Sequence, residues 1–278
     1  MSDAQESPNP VPPNPLLALA ERTGKWTMSS VTEIGFAFVL LLESFYWVIM
    51  GRSRKQPVRL PSIFVQCMDI GIGAIPIISA MSFSIGMMLA IQGIYSLKLF
   101  GAESKVVIGV AFSMTREFGP LITGILVAGR SGSALAARIG TMRITQEVDA
   151  LRVMGINPVR FLVAPALLAS CVMVPALTFL SILVGLSGAG IYVVVDLGMT
   201  FPAYIDNIID ILSVDDVMHG LVKSLVFGIL IAMIGVVNGS SVSGGAEGVG
   251  KVTTRSVVQA ISAIIVTDMI FAFVLTRW

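Results

Sequence analysis

Six stretches of the chain run apolar for twenty residues or more, at about 31–50, 62–97, 106–129, 161–195, 217–238 and 256–276. Each is long enough to cross the roughly 30 Å hydrocarbon core of a bilayer as a helix. Between them lie polar connections. The pattern predicts an all-α integral membrane protein.

The loops can be given sides, because Lys and Arg gather on the cytoplasmic side of membrane proteins. Arg52, Arg54, Lys55 and Arg59 mark the connection after the first stretch as cytoplasmic, and Arg130, Arg138, Arg143, Arg152 and Arg160 do the same for 130–160. Only Lys98 and Lys105 lie in 98–105, and the stretch from Asp196 to Asp216 has no Lys or Arg at all. The loop around Lys251 and Arg255 is basic again. Five spans from residue 62 onward satisfy this alternation and leave the C-terminus outside.

The first stretch does not fit as a sixth span. Crossing would leave Arg22 and Lys25 outside and bring Glu33 and Glu43 within or at the edge of the membrane, where a central charge costs about 2.5–3.5 kcal/mol. An interfacial or re-entrant helix on the cytoplasmic face accommodates these residues better. The expected organisation is a polar, proline-rich disordered tail over 1–15, an interfacial region over 16–61 and a five-span domain over 62–278.

Composition agrees with the pattern. Hydrophobic residues make up 55% of the 278 and charged residues 13%, against about 25% charged in soluble domains. A net charge of +1 gives no basic stripe for nucleic acid. Cys67 and Cys171 both fall in apolar stretches and suggest neither a disulfide framework nor a metal site. His219 is the single histidine, which leaves neither a zinc cluster nor a Ser-His-Asp triad.

The stretch GAEGVGKVTT at 245–254 comes close to the phosphate-cradling pattern G-x-x-x-x-G-K-[ST], but Val252 stands where the magnesium-binding hydroxyl belongs. It also follows a long apolar run, not a short buried strand. It is expected to be a flexible basic loop, with Thr253 or Thr254 capping the last helix.

The long basic loop carries its own pattern. Thr145 can cap a short helix, Gln146 and Glu147 fill its first turn, and Gly155 with Pro158 stops it. Val148, Leu151 and Met154 form one apolar edge, flanked by Glu147, Asp149 and Arg152. Such an edge needs a partner, either the protein's own bundle or another subunit.

The run EFGPLITGILVAGRSGSALAARIGTMRITQEVDALRVMGINPVRFLVAPALLA, with the later GGAEGVGKVTTRSVV, closely resembles the MlaE/YrbE family of permeases. The resemblance covers roughly 30–278. It implies a homodimer with an N-terminal interfacial helix, five transmembrane helices per subunit and a cytoplasmic coupling helix between the second and third spans. Thr145 to Met154 would be that coupling helix, docked on a cytoplasmic ABC ATPase present in two copies.

The resemblance also implies a periplasmic ring of MCE-domain protein, a STAS-domain protein on the ATPase, membrane lipid as cargo, and residence in the bacterial inner membrane. ATP and magnesium would be bound by the partner ATPase, so the chain itself is expected to need no cofactor and to catalyse nothing.

Charged residues within the spans are candidates for function. Arg116 and Glu117 lie midway along the second span; as neighbours they project about 100° apart on a helix. Each can face a substrate cavity or join an ion pair. Lys223 can reach toward Glu117 or a lipid phosphate, or snorkel to the outer headgroups. Asp268 is a weaker candidate, satisfied by Thr267 or a neighbouring helix. On the first span Met81, Met87, Met88, Leu89 and Tyr95 could line a cavity for acyl chains.

These candidates favour ATP-driven lipid transport. A proton-coupled secondary transporter using Glu117 or Asp268, or a non-transporting scaffold, stands as the alternative.

Overall fold

A computed structural model describes residues 15–51 and 59–275. The tail expected over 1–15 falls, except for Pro15, outside the described residues, as do Arg52, Arg54 and Lys55. The described chain is helical: α1 (Pro15–Met50), α2 (Leu60–Lys98), α3 (Glu103–Ile144), α4 (Glu147–Val153), α5 (Val159–Leu197), α6 (Phe201–Ile211), α7 (Val214–Ser240) and α8 (Gly245–Leu275).

Six of these helices contain stretches long and apolar enough to cross a membrane. Helices α2, α3, α5, α7 and α8 form the bundle and alternate in direction, so the basic connections gather at one end and the acidic ones at the other. Helix α1 does not run through it. Glu33 meets Arg255 Nη2 at 2.5 Å, and Glu43 accepts from Asn157 Nδ2 at 2.8 Å. Arg160 lies over the Trp47 ring at 5.5 Å. These partners all belong to the basic end, so both ends of the apolar run lie at one level and α1 lies along that face. Tyr46 and Trp47 on it suit an interfacial depth.

Lipid tails are as apolar as leucine, so helices within a bilayer associate through close packing and polar contacts, not through a hydrophobic driving force. The α2–α5 crossing shows this. A methyl on Gly86 would run into the Gly185 carbonyl, and one on Gly188 into the backbone of Phe83. Beside this contact the Ser82 and Ser181 hydroxyls meet at 2.7 Å. Helix α2 is broken by a 3-10 turn at Ile72–Ala74 just before Pro76.

Three buried clusters stack through the bundle. Leu40, Ile139, Leu167 and Val236 lie toward the basic end, Ile78, Phe227 and Ile264 in the middle, and Ile94, Val110, Val193 and Tyr204 toward the acidic end.

Three sequence expectations need correction. The basic connection 130–160 is mostly helix, because α3 continues to Ile144. The segment 245–254 is the first turns of α8, where Thr253 and Thr254 donate to the Gly250 carbonyl inside the helix and cap nothing. The acidic connection holds a helix of its own, α6, capped by Thr200 and fixed by the Tyr204 hydroxyl donating to Leu186 O at 2.8 Å. Burial pushes that phenol well above its ordinary pKa.

Candidate functional site

Five charged side chains meet within the bundle, a lysine with two carboxylates and an arginine with one. The sequence REFGP at 116–120 explains how they meet. Pro120 has no N–H to give, so the carbonyl four residues earlier, that of Arg116, loses its helical donor. The helix widens there into a π-helical turn, Ser113–Phe118, a form that recurs at functional sites. The freed Arg116 carbonyl accepts from Lys223 Nζ at 3.0 Å.

The same ammonium donates to Glu117 Oε2 at 2.7 Å and stands 3.0 Å from Asp268 Oδ1. Lys223 is fully buried. It therefore does not snorkel to the headgroups; its ammonium donates to Arg116 O and Glu117 Oε2 and has the Asp268 carboxylate beside it as an ion-pair partner. Helices α3, α7 and α8 are joined at this point, with Lys223 about 14 Å into α7 and Asp268 about 10 Å before the end of α8 at 1.5 Å per residue. A buried cation at this depth is tolerable because two carboxylates and a carbonyl replace its water.

Arg116 turns the other way. It lies over the Phe112 ring at 4.8 Å, and its Nε donates to Asp216 Oδ1 at 2.7 Å, with Nη2 on the same oxygen. Asp216 is held in turn by the start of α7: its Oδ2 accepts from the Ser213 N–H and hydroxyl, while its own N–H donates back to Ser213 Oγ. The divergence expected of two adjacent residues thus ends in two separate pairs. Each pair has one buried member and one open one, with Glu117 38% and Arg116 45% exposed. Those two side chains are the open members of the cluster.

The remaining candidates lie elsewhere. Met88 and Tyr95 share an exposed stripe of α2 with Met81, whereas Leu89 packs inward against the cluster of Val110 and Val193. The charged cluster draws its partners from other helices. Among the described residues, no group of three or more His, Cys, Asp or Glu is placed to hold a metal.

Helix α4 also departs from expectation. Thr145 closes α3 and donates to Thr141 O and Glu147 Oε1; the residue before α4 is Gln146, at φ 59°. Gly155, at φ 73°, ends the helix as its sequence predicts. The expected apolar edge is divided. Val148 and Leu151 are buried against Leu162, with Met142, Ile156 and Phe161 around them, whereas Met154 is 64% exposed. Val153, which the sequence pattern did not single out, is 89% exposed. Asp149 lies 3.4 Å from Arg152 and 4.0 Å from Arg143.

The profile of the permease MlaE family matches residues 63–274, the whole bundle from α2 to α8. The chain belongs to this family. A probable ABC transporter permease protein of Rickettsia typhi is 33% identical over 261 residues, 92% of this chain and 99% of the relative. The intermembrane phospholipid transport system permease protein MlaE of Haemophilus influenzae is 33% identical over 256 residues, 91% and 95% of the two chains. Arabidopsis thaliana contributes a chloroplast relative, trigalactosyldiacylglycerol 1, 34% identical over 188 residues, 68% of this chain and 54% of that one. Membership makes the protein a multi-pass membrane permease. Arg116, Glu117, Lys223 and Asp268 all fall inside the part that the MlaE profile matches.

Proposed function

We propose that this chain is the membrane subunit of an ATP-driven transporter that moves phospholipid between the bacterial inner membrane and an acceptor outside it. The observation that carries this reading is the pairing of buried Lys223 and Asp216 with half-exposed Glu117 and Arg116 inside an otherwise apolar bundle. A zwitterionic or anionic headgroup can be met by the two open members while the buried ones hold them in place. The exposed stripe of Met81, Met88 and Tyr95 offers an apolar surface for the tails. The phospholipid system named for the Haemophilus relative supports the same cargo.

In this reading two copies of the chain form a homodimer, and each presents α4 to one of two cytoplasmic ABC ATPase subunits, which bind ATP and magnesium. Val153 and Met154 form the free tip of that helix, flanked by Asp149 and Arg152. An MCE-domain ring on the acidic side receives or delivers lipid, and a STAS-domain protein sits on the ATPase.

The test is ATP-dependent phospholipid transfer from vesicles holding the permease with its co-expressed ATPase. Wild type is expected to transfer lipid only with ATP, and Val153→Asp with Met154→Asp to lose ATPase co-purification while the permease keeps its melting temperature. Transfer by the permease alone under a pH gradient would overturn this reading in favour of proton coupling through Glu117 or Asp268. Leu151 is a poor probe, because its side chain belongs to the protein's own core.

A further inference from the structure

A cavity of about 310 Å³ opens at the basic end between α2, α3, α5 and α7, away from the charged cluster. Its polar lining is Gln66, Asp69, Arg130, Ser131, Arg138 and Ser170, and Ile70 and Ile231 form part of an apolar floor. Arg130 rises from a second π-helical turn of α3, Ala128–Gly132. Its Nη1 donates to the Asp69 backbone carbonyl at 3.0 Å, and its guanidinium lies so close over Gly73 that a methyl there would collide with it.

The two arginines have no carboxylate within ion-pair distance among the described residues. Arg130 takes the carbonyl of Asp69 and not its carboxylate, and Arg138 makes neither a hydrogen bond nor an ion pair there. Asp69 is the one acidic side chain in the lining, so two guanidinia face one carboxylate. The Ser131 hydroxyl is buried and has no hydrogen-bond partner. Both guanidinia are exposed, so they are open to an anionic ligand.

Depth narrows the acceptor. Arg130 lies twenty-seven residues from Glu103 on α3, about 40 Å at 1.5 Å per residue, against a hydrocarbon core of roughly 30 Å. Ser170 lies equally far from Leu197 on α5. Measured from the acidic ends of α3 and α5, the cavity lies past a hydrocarbon core of that thickness, on the basic side, and its floor of Ile70 and Ile231 continues into the middle cluster. Guanidinium groups match phosphate oxygens with paired donors.

We infer that this cavity binds the phosphate of an anionic phospholipid from the leaflet on the basic side, held by Arg130 and Arg138. The inference does not depend on which molecule the permease carries.

Native mass spectrometry of the purified full-length permease, titrated with phosphatidylglycerol or phosphatidylcholine, tests it. Wild type is expected to prefer phosphatidylglycerol, and Arg130→Gln and Arg138→Gln each to weaken it about fivefold, the worth of roughly one interfacial arginine. Phosphatidylcholine, whose choline offsets the phosphate charge, should respond less than phosphatidylglycerol to either substitution, and Lys251→Gln, basic but outside the cavity, should change neither lipid. Should Arg130→Gln fail to fold, Arg138→Gln provides the answer. Equal retention of the two lipids by wild type, or an intact preference in Arg138→Gln, overturns the site. Displacement of phosphatidylglycerol by millimolar inorganic phosphate would assign the cavity to free phosphate and overturn the lipid.

Discussion

Arg116 and Arg130 stand on the same helix, fourteen residues apart, each on a π-helical turn, and the protein answers them differently. Arg116 meets the carboxylate of buried Asp216, itself fixed by the cap of α7. Arg130 meets only a backbone carbonyl and an open cavity. The neighbour of Arg116, Glu117, is likewise matched by a buried lysine. Depth accounts for the difference. Toward the middle of the bundle little water can share a charge, so the fold supplies a counter-charge. At the headgroup level water and lipid phosphates do that work, and an arginine can be left free to bind.

The largest effect is expected where the matching is tightest. Lys223→Met leaves Glu117 and Asp268 facing each other without a cation, and should cost about 3–5 kcal/mol in unfolding from mixed detergent micelles. Neutralising both carboxylates in the same chain, with Glu117→Gln and Asp268→Asn, should recover most of that loss, since an isosteric uncharged cluster has no desolvation to offset. A single-variant cost below about 1 kcal/mol would mean that the cluster is hydrated, and would remove the distinction in depth.

A smaller loss should follow at the other pair. Asp216→Asn keeps the shape but discharges the partner of Arg116 and weakens the reciprocal cap with Ser213. Because the Arg116 side chain is nearly half exposed, it can recover solvent, and the cost should stay near 1–2 kcal/mol. Equality with Lys223→Met would place Arg116 as deep as the lysine. The same micelle unfolding assay decides between them.

The sequence made one side of this comparison visible and hid the other. Arg116 and Glu117 stand out because charges within an apolar run are rare, and Pro120 marks a free carbonyl four residues before it. Asp216 carries no such signal: it lies in a stretch of aspartates at a span boundary, a hundred residues from its partner, and only the S-V-D-D pattern of a capping box hints at its role. The spans and the orientation of α1 were legible because apolar length and basic loops are local properties. Helix α6 was missed for lack of length, although Tyr204, Ile208 and Leu212 keep helical spacing. The division of the α4 edge could not be read at all, because Val148 and Leu151 are covered by residues beyond Gly155, and which side of a short helix is covered depends on where the next one starts. The loop at 245–254 failed for the opposite reason. Its glycines suggest flexibility, yet α8 simply begins early, with Lys251 and Glu247 paired at 2.7 Å one turn apart.

The smallest effect belongs to Arg130. If its only fixed partner is a carbonyl that glutamine can also reach, Arg130→Gln should change stability in detergent by no more than about 0.5 kcal/mol, as for a surface position, whereas Arg116 and Lys223 hold opposite charges that cannot be left alone. A loss above about 2 kcal/mol, of the size seen when a buried charge pair is broken, would show that Arg130 is a structural charge whose counter-charge is Asp69. The double variant Arg130→Gln, Asp69→Asn separates the cases. Recovery on adding Asp69→Asn would mean that the two charges neutralise each other across the cavity, and no recovery from a near-zero single effect would leave the guanidinium free for a ligand.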